Sequence, residues 1–533
     1  MYTVLIVRNF YIKKAVSNKW FVLLLNAVFF SLMAWLLPIH FEENDDVAMC
    51  MIANGLFSGN PDGHLVFLNA IFGWMIAGLY MMTNVVEWYA LIFCVLHVLA
   101  MTGIVYMVIR DKGLPIVLKL AFLVFMYVLW ARIIIGFQFT TTAGLLCFCG
   151  CLALLQHSRK WFIAGMGVIF VASLIRFSAA GLVGVLCSPL LVFELMRDNR
   201  YVYRILVVAV LALLGHCMDG LFYQQTDWAY YKAYNTVRGK IHDNPNAFLL
   251  SESDLPKGVT MEDYQLFCGF EGDSKILDLQ RLQLIESRIQ ESISYEHAIK
   301  NLSQISLYRT PLALLCFGWV LCLVLNVKRK NKSRAAAVIT AVVLFITILV
   351  YLGMYASLKN RVFLCMVVPL VYQMLKLLPE LDLQKGNETI MVMTGIMTAL
   401  IAKYVYQDYK VVRYTRTRQE EFDAFQNPLI QDNKGILYLS CVMNDCMHPF
   451  AVKDYKFKIV GLGWLMNIPL QKGVLESHVD FVDSEILCFC RAGQPPFQLV
   501  KAIKRNYGVD AEPVQVDSNE KYALYALRSY VEK

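Results

Sequence analysis

From Trp20 onward the chain alternates between apolar runs of about 17 to 22 residues and short polar connections. Each such run is long enough to cross a hydrocarbon core of ~30 Å as a helix. Candidate spans fall at 20–37, 88–109, 114–131, 138–155, 161–176, 179–196, 204–222, 310–327, 335–356, 361–379 and 388–407. A further apolar stretch, 65–82, decides the parity of everything after it.

The basic residues settle where that stretch belongs. If 65–82 does not cross, one side collects the N-terminus and the connections "RDKG" (110–113), "HSRKW" (157–161), "MRDNRYVYR" (196–204), "VKRKNKSR" (327–334) and "PELDLQKGNE" (379–388). Nearly every short cluster of Lys and Arg then lies inside, as the positive-inside rule requires. The expectation is eleven spans, with 65–82 lying in the outer interface and a first outer loop over 38–87. That loop holds six acids and no Lys or Arg. The first run follows Arg8, Lys13, Lys14 and Lys19 but ends in "LLPIHFEEN", without a small-residue cleavage pattern, and reads as a retained anchor. Eleven spans put "DYKVVRYTRTRQEEF" (408–422) outside despite its basic residues, because long domains translocate largely regardless of charge.

Two polar regions interrupt the pattern. The outer loop 223–305 carries "TMEDYQLF" and "ILDLQRLQLIESRIQESI", whose three- and four-residue apolar spacing fits amphipathic helices. The tail 408–533 mixes β-like runs, "GILYLSCVM", "EILCFC" and "YALYAL", with a helical "FQLVKAIKRNYG", and reads as a small extracytoplasmic α/β domain after a membrane domain over 1–407.

Composition agrees with a polytopic α-helical membrane protein: 58% of the 533 residues are hydrophobic and 17% charged. The net charge of +8 would suit a nucleic-acid or lipid partner, but most of it sits in the short loops between spans, so it reports topology rather than a partner. Nine of the fifteen cysteines lie in or against apolar runs, where Cys acts as a small hydrophobe. Cys441, Cys446, His448, Cys488 and Cys490 match no standard zinc spacing, and strand alternation or a disulfide explains them better. The triplets at Asn301, Asn331 and Asn387 fit a glycosylation acceptor, but two fall in inner loops.

The chemistry is concentrated in "FEENDDVAMCMIANGLFSGNPDGH" (41–64). Asn44 is placed to cap a helix starting at Asp45, and acids are favoured in a first helical turn. A cap accounts for one acid. It does not account for Glu42, Glu43, Asp45 and Asp46 crowding together without a basic neighbour, and mutual repulsion beside an apolar phase raises carboxylate pKa values toward those suited to proton abstraction.

Asp45-Asp46 just after the first span, Gly55, and the turn "SGNPDGH" ending at His64 before the apolar segment from Leu65 resemble the first outer loop of GT-C-type glycosyltransferases. In the protein mannosyltransferase and aminoarabinose transferase branches of that superfamily the pair is usually Asp-Glu and the turn His-Pro-Pro-Leu; here they are Asp-Asp and Asp-Gly-His-Leu. The chain looks closest to bacterial members. The resemblance implies a GT-C-like bundle with a juxtamembrane helix at 65–82, and a sugar moved from a polyprenyl-phosphate donor to a glycan, lipid or protein acceptor. It implies Asp45 as the general base with Asp46 second, His64 and Asp62 near the substrate, and cations on the donor phosphate. Lys359 and Arg361 in "LKNR", Arg176 in "IRFS" and Arg132 in "WARI" are the candidates, because they sit at outer span ends against the charge trend. Snorkelling to headgroups is their plainer explanation. The pair leaves a bridging divalent metal open, and the acceptor cavity falls to 223–305 and the tail. The expected setting is a bacterial cytoplasmic membrane with the site on its outer side.

Two other classes fit less well. A transporter or flippase for a lipid-linked saccharide calls for ionisable residues or broken helices near the midplane, whereas these spans are mostly clean with charges at their ends. A polysaccharide polymerase or ligase would not need the acidic pair.

Overall fold

Asn18 opens the first helix, its side chain accepting from the Trp20 N–H, and the computed structural model describes the chain from there. The residues described are 18–156, 158–195, 200–269, 276–303, 309–356, 358–379, 385–432, 437–440, 448–452, 458–460, 463–465, 468–470 and 486–529. Helix α1 (Lys19–Leu36) leads through strand β1 (His40–Phe41) into two short helices, α2 (Asn44–Ala53) and α3 (Ala70–Met82). The bundle continues with α4 (Trp88–Arg110), α5 (Ile116–Ile135), strand β2 (Gly136–Phe137), α6 (Phe139–Leu154), α7 (Arg159–Leu195) and α8 (Arg200–Phe222). A polar insert carries α9 (Thr226–His242), α10 (Met261–Cys268), α11 (Leu279–Glu291) and α12 (Tyr295–Ser303). It is followed by α13 (Arg309–Lys328), α14 (Lys332–Tyr355), α15 (Asn360–Leu377) and the 48-residue α16 (Lys385–Asp432).

Eight helices among the described residues are long and apolar enough to cross a membrane. One of them, α7, is more than a single crossing. Arg176 is extended (φ −153°, ψ 98°), and the halves on either side run in opposite directions. In the first half Gly165 lies against Ala153 and Ile169 against Gly150, antiparallel to α6. In the second, Cys147 Sγ donates to the Ala180 carbonyl at 3.2 Å and Cys151 meets Cys187, parallel to α6. Counting both halves makes nine; the 16-residue α6 and the first part of α16 are the two further segments that the sequence pattern of eleven had included.

Helix α3 is not among them. At 13 residues it is about 20 Å long, short of a ~30 Å core. Both of its ends lie at one end of the bundle: Asn69 Nδ2 donates to the Gly215 carbonyl (2.7 Å) and the Ala70 N–H to Asp219 (2.8 Å), while the Tyr80 hydroxyl reaches Glu87 just before α4. Gly63 and Gly73 make this docking close; a Cβ on Gly73 would fall 2.0 Å from the Gly63 carbonyl oxygen. At the opposite end Lys376 pairs with Asp111 (2.6 Å), Arg204 donates to the Leu154 carbonyl (3.1 Å) and Arg334 to that of Leu378 (3.0 Å). The basic connections therefore gather away from the acidic loop.

The insert closes over its own core of Tyr234, Ile241, Tyr264, Phe267, Leu282 and Ile285. After α16 a five-stranded sheet forms in the order β4-β3-β5-β7-β6, from β3 (Leu437–Ser440), β4 (Lys458–Val460), β5 (Ile486–Arg491), β6 (Ala511–Ser518) and β7 (Tyr522–Ser529). β3 pairs parallel with β4 and β5, and β7 pairs antiparallel with β5 and β6. Strand alternation explains the "CFC" run: Cys488 and Cys490 pack with Leu499 and Ile503 of α17 (Phe497–Tyr507), while Phe489 turns to Phe422 and Phe425 of α16. Cys441 and Cys446 lie outside the described residues. Residue 408, taken from the sequence as the start of the tail, falls inside α16.

Candidate functional site

The first loop enters the site through a two-residue parallel pairing, His40 with Gly136 and Phe41 with Phe137, which fixes α2 against the start of α6. The helix starts one residue earlier than its capping pattern suggested. Glu43 is the extended N-cap, with no side-chain cap bond, and Asn44 is the first helical residue. The reason is that Glu43 is engaged elsewhere, by the Arg361 guanidinium. Asp45 and Asp46 remain in the first turn, where the helix dipole favours negative charge. After α2 the chain turns at Gly55, whose φ of +83° and close contact with the Pro61 nitrogen admit no side chain.

The two acids then diverge. Asp46 is buried; its Oδ1 accepts from the Tyr89 hydroxyl (2.9 Å) and the Phe139 N–H (3.4 Å), and its Oδ2 is enclosed with no partner. Burial, reinforced by the charge of Asp45 and opposed by the Tyr89 hydrogen bond, pushes its carboxyl well above the usual range, toward the neutral form. Asp45 turns outward and accepts from the Trp464 indole N–H at 3.0 Å. That tryptophan sits in a helical turn, Gly463–Leu465, ahead of the last strands; its carbonyl accepts from the Tyr231 hydroxyl (2.9 Å) and its ring meets Phe67 edge-on at 4.9 Å.

Cations from separate segments surround this mouth. Arg361, in the first turn of α15, holds Glu43, and Lys359 just before it holds Asp243 at the end of α9. Arg176, at the turn of α7, donates to the Phe67 carbonyl (3.2 Å), lies over the Phe67 and Phe139 rings, and feels the charges of Arg361, Asp45 and Asp243. Arg238 on α9 is buried, bonds Asn235 (2.8 Å) and feels Asp45 and Asp243. Burial and the positive charges of Arg238 and Lys359 hold the His242 imidazole down at about 3, against the pull of Asp243. The turn of α7, the N-terminus of α15 and the C-terminal half of α9 thus bring four basic residues to one acidic helix end.

Other residues singled out in the sequence stand apart from this cluster. Arg132 is buried behind the β1–β2 pair, 3.5 Å from Glu42. His64 is packed in an aromatic box, stacked on Trp228 (4.4 Å) and edge-on to Trp74 and Tyr223; its Nδ1 bonds Asp62 (2.8 Å) and its Nε2 faces the Phe222 carbonyl (3.3 Å). This clasp fastens the first loop to the end of α8. Conversely, Arg238 and Trp464 went unmarked. Arg238 had a signal, since Tyr231, Tyr234, Asn235 and Arg238 share a helix face by their three- and four-residue spacing; Trp464 had none.

No group of three or more His, Cys, Asp and Glu side chains arranged to hold a metal occurs among the described residues. Asp45 and Asp46 turn to different partners and do not converge on one point.

The chain matches no protein-family profile and no curated protein. Among solved structures it is similar to ArnT from Cupriavidus metallidurans bound to undecaprenyl phosphate, with a TM-score of 0.38 and 12% identity over 95% of this chain and 97% of that one. The apo form of the same protein gives a TM-score of 0.40 and 13% identity over 95% and 96% of the two chains.

Proposed function

We propose that the protein is a glycosyltransferase of the GT-C kind, moving a sugar from a polyprenyl-phosphate carrier to a hydroxyl of an envelope glycan, lipid or protein on the outer face of a bacterial cytoplasmic membrane. One observation carries the reading: a half-exposed carboxylate, Asp45, lies in the field of Arg176 and Arg238, with Arg361 on the neighbouring Glu43 and Lys359 on Asp243, so that three distant segments bring cations to one end of the bundle. A base and a set of cations are what this transfer requires. The acceptor oxygen bonds to the anomeric carbon, its proton passes to Asp45, and the bond from that carbon to the phosphate oxygen breaks with its electron pair leaving on the phosphate. The lipid phosphate is already a weak base and needs positive charge rather than a proton. The base typically contributes ~10²–10⁴ in rate.

In this reading Asp46 does not touch substrate. It ties the start of α2 to Tyr89 and Phe139, and its neutral form spares Asp45 a neighbouring charge. Arg132 with Glu42, and His64 with Asp62, hold the loop in place. No step is routed through a metal, since the two carboxylates do not converge, and transfer is expected to survive chelation. Trp464 orients the Asp45 carboxylate and gives up its hydrogen bond when the acceptor hydroxyl arrives.

The test is binding of the bare carrier. Polyprenyl phosphate should bind the purified protein, and Arg176→Gln with Arg361→Gln should weaken it without lowering the melting temperature by more than a few degrees. Equal binding by the double variant would refute the phosphate assignment.

A further inference from the structure

The last membrane helix leaves the bundle as a basic and aromatic stem. Beyond its apolar part, which ends near residue 407, α16 reads "DYKVVRYTRTR" (408–418). A cavity of about 400 Å³ lies along it, lined by Tyr406, Tyr409, Lys410, Arg413, Tyr414 and Thr417. A second cavity, of about 350 Å³, shares Tyr414 and Thr417 and adds Arg418, Arg491, Lys521 and Tyr522 from α16 and the sheet. Together they form one groove running from the membrane edge to the C-terminal sheet.

Its charge is uneven. Lys521 is paired with Glu421, but Lys410 and Arg413 make no ion pair among the described residues; Lys410 lies over the Tyr406 ring at 4.7 Å. At 1.5 Å per residue, Lys410 and Arg413 stand about 5 to 9 Å beyond the apolar part of the helix. That is the depth of the headgroup layer, which adds roughly 5 to 8 Å on each side of the core. Tyr406, Val411 and Tyr414 are exposed on the same stem, as interfacial aromatic and apolar residues are.

We propose that this groove binds the phosphate headgroup of an anionic phospholipid, with Lys410 and Arg413 on the phosphate, Tyr406 and Tyr409 at the glycerol level and the acyl chains along the apolar part of α16. Depth favours a lipid over a soluble anion: the two unpaired cations fall at the depth of phospholipid phosphates, and the groove begins at the exposed Tyr406, in the last turn of the apolar part of the helix. The site shares no residue with the Asp45 cluster and does not depend on the transfer reaction. It would fasten the stem, and with it the sheet against which Phe422 and Phe425 pack, at a fixed height over the bilayer.

The experiment uses the full chain in mixed micelles, with lipid binding read by native mass spectrometry and a thermal melt as the folding control. Phosphatidylglycerol should bind more tightly than phosphatidylcholine. Lys410→Gln with Arg413→Gln should weaken phosphatidylglycerol about 30-fold, taking about 1 kcal/mol for each juxtamembrane cation, with an unchanged melt in lipid-free detergent. Lys410→Arg with Arg413→Lys should retain binding, which separates lost charge from damaged fold. Equal binding of the two lipids, undiminished binding by the Gln variant, or displacement by millimolar glycerol phosphate would each overturn the proposal, the last by making the groove a soluble-anion site.

Discussion

Asp45 and Asp46 are adjacent in sequence and face two regions of opposite character. Behind α2 lies a dry floor, where Asp46 meets Tyr89 and Phe139 and where Glu87, Tyr80 and Cys50 bond one another. In front lies a mouth of mixed charge, where Asp45 meets an indole carried by the C-terminal region and the field of Arg176 and Arg238, with Arg361 on the neighbouring Glu43. The floor spends its polar groups on one another and so fixes geometry. The mouth leaves its carboxylate half-exposed among cations, and so has something to offer a substrate. One step along a helix turns a side chain by about 100°, and that rotation divides a structural acid from a chemical one.

If the division is real, variants on the two sides should fail differently. At the mouth, Arg361→Gln removes the partner of Glu43 and one cation of the cluster. With charged hydrogen bonds contributing about 1.5–3 kcal/mol, affinity for polyprenyl phosphate should fall roughly 10- to 150-fold while the melting temperature stays near that of the parent. In the floor, Asp46→Ala strands the Phe139 N–H and the Tyr89 hydroxyl, at about 1–3 kcal/mol for each buried group left without a partner, so the melt should drop and activity should follow the folded fraction. Asp46→Asn keeps the acceptor oxygen and removes the cost of holding a carboxyl protonated in the fold that the unfolded chain would ionise; its melt should equal or exceed that of the parent.

Acid should also weaken the floor. His40 lies against it, its Nδ1 2.6 Å from the Ile135 carbonyl, and burial, with Arg132 nearby and despite that bond, depresses its pKa to about 4. The unfolded chain, near 6.5, takes up the proton first, so this residue's contribution is complete above pH 6.5 and is lost as pH falls toward 4, at most about 3 kcal/mol. Asp46 has the opposite sign, its raised pKa favouring the fold in acid and opposing it as pH rises. A His40→Asn variant, keeping a donor near the Ile135 carbonyl, should show a flatter melting temperature between pH 4 and 6.5. An unaltered profile would remove His40 from the floor.

The same contrast governs what the sequence made legible. Spans were readable because lipid is a uniform solvent, and the charge asymmetry of the loops was enough to hold α3 out of the membrane. Hydropathy nonetheless misranked importance. The most apolar span, α14, has a mean hydropathy of 2.7 and is 22% buried, whereas α15, at 1.3, is 78% buried and carries Arg361 at its start. Lipid-facing helices must be apolar throughout; an interior helix can hold Gln373, whose Nε2 donates to the Leu186 carbonyl, and Tyr372, whose hydroxyl donates to Asp111. The first-turn acids and three of the four mouth cations were visible as charges in unfavourable places. Trp464 was not, since its contact with Asp45 spans 419 residues and leaves no periodicity behind. The cap at Asn44 was misplaced by one residue because capping rules count local partners, and Glu43 answers to Arg361 318 residues away.

The most direct measurement is sugar transfer from a polyprenyl-phosphate donor by Asp45→Asn and Asp46→Asn, purified side by side, with a thermal melt of each. Asp45→Asn should lose transfer by ~10² or more at unchanged donor binding and a near-parental melt, while Asp46→Asn keeps activity within a few-fold. A stable Asp45→Asn protein that transfers sugar at the parental rate, or an equal loss in both, would contradict the division between mouth and floor.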